Sequence, residues 1–110
     1  MNPGFPDQDV SVYMNLYFSE VTELDTTQKR SFNAYIDNMK SSELIIPPYG
    51  AAKEMSANFT ASANTSISLV STTDSTLPPL INAMEVFYVS DRLTDGTNSK
   101  DGMHILFYTL

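Results

Sequence analysis

Val10-Ser-Val-Tyr-Met-Asn-Leu-Tyr-Phe18 decides the fold. Val10, Val12, Met14, Leu16 and Phe18 alternate with Ser11, Tyr13, Asn15 and Tyr17, and a period of two turns one face of a β-strand toward a core and the other away from it. Working outward, residues 31–38 repeat the pattern, with Phe32, Ala34 and Ile36 on one side and Asn33, Tyr35 and Asp37 on the other. The intervening residues 20–30, rich in Thr and charge, read as a connection. Leu44-Ile-Ile46 runs into Pro47-Pro48, and paired prolines cannot donate to a ladder, so this segment ends a strand or lies along an edge. Residues 65–72 alternate again, with Ile67 and Leu69 set against Ser66, Ser68 and Val70. After Leu77-Pro-Pro79 comes a stretch, 80–89, that is apolar on both faces except at Asn82 and Glu85, the pattern of a central strand. No ten-residue segment carries a clean 3.6-residue stripe, and turn signals recur at short spacing. The predicted class is an all-β antiparallel sandwich.

Composition narrows the function. The chain has 110 residues, 42% hydrophobic and 17% charged, which allows one small domain with a real core and excludes a disordered segment. Six Lys and Arg against thirteen Asp and Glu give a net charge of -7, which repels phosphate backbones and anionic lipid surfaces, so neither nucleic acid nor a membrane surface is an expected partner. Without cysteine there is no disulfide, thiolate metal site or cysteine nucleophile. Residues 1–15 lack the basic and apolar regions of a signal peptide, and no run approaches the roughly 18 apolar residues of a membrane span.

Two stretches resemble the malectin-like domain of plant leucine-rich-repeat receptor kinases. The first is Val12-Tyr-Met-Asn-Leu-Tyr-Phe-Ser-Glu-Val21, followed by Arg30-Ser-Phe-Asn-Ala-Tyr-Ile-Asp37; the second, more specific, is Ser75-Thr-Leu-Pro-Pro-Leu-Ile-Asn-Ala-Met-Glu-Val-Phe87. The resemblance spans residues 2–101 and implies a malectin-type, jelly-roll-like β-sandwich of which this chain is the later part, with Met1 read as an internal methionine. It implies a non-catalytic extracellular recognition module of a receptor kinase, facing carbohydrate or a secreted peptide, with a co-receptor as a further candidate partner. Such a module lies outside the plasma membrane and cannot signal without the rest of the receptor. The alternative is an inert or decoy fragment. Residues 102–110 depart from the family and are expected to be a separate tail, read as a translated intron in preference to an ordinary strand.

The catalytic alternatives are weak. The one histidine, His104, falls in the departing tail, so no His-based triad is expected. Asp7 with Asp9, Glu20 with Glu23, and Asp91 with Asp95 are paired acids of the kind that hydrolyses glycosides, but each pair lies in a predicted connection and reads as solvated. Residues 91–102 resemble a calcium loop only at Asp95 and Gly96, with Leu93 at the third position and Gly102 where the bidentate acid belongs. Neither a metal nor a cofactor is implied. Glu85 shares its strand face with Ile81, Ala83 and Phe87 and reads as a satisfied core carboxylate. Tyr13, Asn15 and Tyr17, on one face of the first strand, are the candidate ligand contacts, because aromatic rings beside amides suit sugar rings. Asn58-Phe-Thr60 and Asn64-Thr-Ser66 are candidate glycosylation sequons. Composition alone yields about two, so their number says nothing about secretion.

Overall fold

The computed structural model describes Phe5 and residues 8–90 and 102–109. Among these the chain forms β1 (Val10–Phe18), β2 (Phe32–Ile36), β3 (Met39–Lys40), β4 (Lys53–Ala61), β5 (Ile67–Ser71), β6 (Ala83–Ser90) and β7 (Gly102–Thr109). Two sheets result, one ordered β4-β1-β6-β7 and the other β3-β2-β5, and every ladder within them is antiparallel. No helix among the described residues is long and apolar enough to cross a membrane.

β1 is the strand its alternation predicts, with Val10, Val12, Met14, Leu16 and Phe18 all buried. It meets Met84 and Val86 of β6 on the same inner face, and Phe32, Ala34 and Ile67 close the core from the other sheet, together with Ile45, which bridges to Phe32 from the segment after β3. Phe18 and Phe32 join the two layers edge to face, ring centroids 5.4 Å apart at 68°. Phe5 caps the far end, edge-on to both Phe59 and Tyr88. Such burial contributes about 1.5–3 kcal/mol for each large side chain.

Asp37 makes the sharp return from β2 to β3. Its φ of 54° is left-handed, a region that Asp tolerates because its short carboxylate can bond locally. Here Asp37 exchanges bonds with Ser66, donating from N–H to the Ser66 carbonyl at 2.8 Å and accepting the Ser66 N–H at 3.1 Å.

Three expectations change. β6 begins at Ala83 rather than at 80, since Pro78 and Pro79 hold an extended approach and the Asn82 N–H is the first to bond β1, at the Tyr17 carbonyl, 2.9 Å. It is nonetheless central, flanked by β1 and β7. Glu20 is no solvated loop acid: it is 5% exposed and takes Arg30 Nε at 2.5 Å and Nη2 at 3.3 Å. Arg30 Nη1 also donates to the Pro78 carbonyl at 2.6 Å, so one guanidinium ties the 20–30 connection to the proline approach of β6. Glu85 faces away from the core, opposite to Met84 and Val86. Apart from these three, residues 102–109 pair as a strand with β6, with His104 at the register position opposite Tyr88. Asp7, Asp91, Asp95 and the stretch 91–101 lie outside the described residues.

Candidate functional site

The outer face of the four-stranded sheet is built by register. Along β1, Ser11, Tyr13, Asn15 and Tyr17 meet Thr60, Asn58, Ser56 and Glu54 of β4. On the other side Tyr13, Asn15 and Tyr17 meet Phe87, Glu85 and Ala83 of β6. Directly opposed side chains stand roughly 4.5–5.5 Å apart at Cβ, close enough for every one of these pairs to touch.

Half of this face is saturated with its own bonds. Tyr17 donates its hydroxyl to Glu85 Oε1, and Asn15 Nδ2 approaches the same oxygen at 3.5 Å. Ser56 Oγ donates to Asn15 Oδ1 at 2.6 Å, and the Tyr13 hydroxyl leans toward Ser56 Oγ at 3.4 Å. All the donors point along one chain toward the Glu85 carboxylate, which explains how an acid survives half-buried among Ala83 and Phe87. Asn15, at 9% exposed, is covered by its neighbours even though it faces outward.

Tyr17 stands between two carboxylates, and its phenol is pushed well above the usual tyrosine range, first by its bond to Glu85 and next by Glu54. A raised folded-state pKa adds stability that is fully present below the unfolded value near 10 and is lost as pH climbs through it toward the folded value. Tyr17 is therefore expected to ionise later than an ordinary tyrosine in an alkaline titration followed by phenolate absorbance. Tyr17→Phe should remove that late step, and an unchanged titration curve would contradict the bond to Glu85.

The other half is open. Tyr13 is 41% exposed, and its ring is tilted 39° to Phe87 with centroids 6.1 Å apart. A cleft of about 590 Å³ opens beside them, lined by Ser11, Tyr13, Asn58, Thr60 and Phe87 together with Val12, Phe59 and Tyr88. Apolar ring surface edged by hydroxyls and one amide is chemistry for a sugar ring or another flat amphipathic group. A second cleft, of about 450 Å³, runs between the sheets past Ile36, Met39 and Phe59 and holds no ring pair.

Of the three candidate residues, then, the structure keeps Tyr13 available, and it commits Asn15 and Tyr17 to Glu85. It adds Phe87, Asn58, Thr60 and Ser11. The β4 contributors were legible in principle: Met55, Ala57, Phe59 and Ala61 alternate with Glu54, Ser56, Asn58 and Thr60. Among the described residues no cluster of three or more acids or imidazoles is placed to hold a metal. The residues that carried the sequence resemblance serve the framework: Glu20, Arg30 and Pro78 form the clamp, Asn82 Oδ1 accepts the Ser19 N–H at 2.7 Å, and Glu85 anchors the outer network.

The malectin-like domain family model matches residues 1–89. An uncharacterized protein of Arabidopsis thaliana is 41% identical over 98 residues, 86% of this chain and 20% of that protein. Two proteins of the same plant named as probable LRR receptor-like serine/threonine-protein kinases are 30% identical over 98 residues and 33% over 99, each match covering 87% of this chain and 12% and 11% of theirs. The chain thus spans about a tenth to a fifth of the length of these relatives. No solved structure matches it.

Proposed function

The chain belongs to the malectin-like domain family, a non-catalytic module, and from that premise we propose that it recognises carbohydrate on the outer face of its four-stranded sheet, as the extracellular part of a receptor-like kinase assembly. The observation that carries this reading is the Tyr13–Phe87 ring pair beside an open cleft edged by Asn58, Thr60 and Ser11. Sugar rings present a C–H face that packs on aromatic rings and hydroxyls that exchange bonds with amides and alcohols, and the cleft offers both kinds of partner. Two relatives named as receptor-like kinases support the cellular setting.

An open face buries only one side of its ligand, so affinity in this chain is weak, with Kd on the order of millimolar, about -4 kcal/mol. Calorimetric titration of unglycosylated protein with cell-wall oligosaccharides should give binding that Tyr13→Ala reduces at least about tenfold, a loss of ~1.4 kcal/mol, while Tyr35→Ala on the other sheet leaves it unchanged.

A second reading rests on a separate observation. Among the described residues β4 pairs only with β1, so its other edge is free over nine residues, the form that takes an added peptide strand. Extended peptides that bind while oligosaccharides do not would favour it; binding by neither class would leave the chain an inert fragment.

A further inference from the structure

Asn58 and Thr60, the ends of the Asn58-Phe-Thr60 sequon, are both exposed on the same face of β4, because a strand puts residues two apart on one side. Among the described residues the Asn58 amide makes no hydrogen bond, and β4 is an edge strand. Across the ladder its partner is Tyr13, the exposed ring of the open cleft, and Asn58 itself lines that cleft. The second sequon differs: Asn64 is exposed in the turn after β4, its hydroxyl residue Ser66 is half-buried with its backbone N–H and carbonyl both bonded to Asp37, and no ring pair lies beside it.

We propose that Asn58 carries an N-linked glycan whose first sugar packs against Tyr13, so that the chain's own modification occupies the groove assigned above to free saccharide. The bond forms between Asn58 Nδ2 and C1 of the innermost N-acetylglucosamine of a lipid-diphosphate-linked oligosaccharide. The C1–O bond to phosphate breaks, the lipid diphosphate leaves with the electron pair, and the amide releases one proton. Because the attached sugar starts within about 5 Å of Tyr13, its effective concentration there is on the order of millimolar or above, which matches the weak affinity of the open face. Free ligand then reaches the groove chiefly on molecules unmodified at Asn58, which makes occupancy of the sequon a regulator of binding. The glycan assignment rests on the recognition reading only for its last step, the competition.

The test is a double-mutant cycle on the chain secreted from eukaryotic cells behind a cleavable leader. Site occupancy is mapped by enzymatic deglycosylation in heavy-oxygen water, which marks a formerly glycosylated Asn by its mass. Melting midpoints are then compared between the glycosylated chain and Asn58→Gln, each with Tyr13 intact, with Tyr13→Phe and with Tyr13→Ala. Occupied Asn58, and a midpoint gain of several degrees that survives Tyr13→Phe and disappears in Tyr13→Ala, is the expected result. Unmodified Asn58 beside modified Asn64, or a gain indifferent to Tyr13→Ala, overturns the proposal. Bacterially made chain without glycan, titrated with oligosaccharide, reports separately on recognition, so failure there leaves the glycan result standing.

Discussion

Glu20→Ala is expected to destabilise the domain by about 3 kcal/mol or more, a large part of the roughly 5–15 kcal/mol that holds a domain of this size together. The Glu20 side chain is 4% exposed and the Arg30 side chain 14%, so deleting the acid leaves a guanidinium with little water to replace it. Arg30 keeps the Pro78 carbonyl, but that carbonyl is neutral and cannot balance the charge. Glu20→Gln should cost less, because an amide oxygen still accepts from Nε. Replacing both residues with apolar side chains of similar size should recover part of the loss. Urea denaturation of the four proteins checks this, and a single variant within about 0.5 kcal/mol of the parent would mean that the clamp is dispensable.

Phe18→Ala should be as damaging, at about 3–5 kcal/mol. Phe18 is the last buried residue of β1 and meets Phe32 of the opposite sheet edge to face, so its loss opens a cavity where the two layers are joined. Phe18→Leu fills most of that space and should cost less than half as much. Thermal unfolding provides the measurement, and equal midpoints for Phe18→Ala and Phe18→Leu would show that the site collapses freely rather than being held by both sheets.

The alternation of β1, β2 and β5 made those strands legible because period two is a direct consequence of the extended backbone. β4 escaped notice although its pattern is as regular. Two of its inward positions are Ala57 and Ala61, whose small side chains give little hydrophobic signal, and it opens with Lys53 and Glu54. Glu20 could not be read as buried from its surroundings in sequence, since its burial depends on Arg30 ten residues away and on a proline carbonyl 48 residues beyond that. Periodicity also tells which way a side chain faces and not what covers it. Asn15 faces outward as expected and is still buried, because β4 and β6 bring Ser56 and Glu85 over it. Tyr13 has the same pattern position and stays open, since its neighbours across the ladders are Asn58 and Phe87. The candidate face was therefore legible from β1 alone, whereas its division into a saturated half and an open half required the ladder partners.

If this malectin-like module binds saccharide at the open half of its outer sheet face, as proposed, an amide and aromatic chemical-shift titration of unglycosylated, isotope-labelled protein will show it. Cell-wall oligosaccharides should shift the Tyr13 and Phe87 rings and the amides of 11–13, 58–60 and 87–88, with residues 32–36 of the other sheet unmoved. No shifts at saturating sugar, or shifts centred on the β2 sheet or on the free edge of β4 with the Tyr13 and Phe87 rings unmoved, would contradict it.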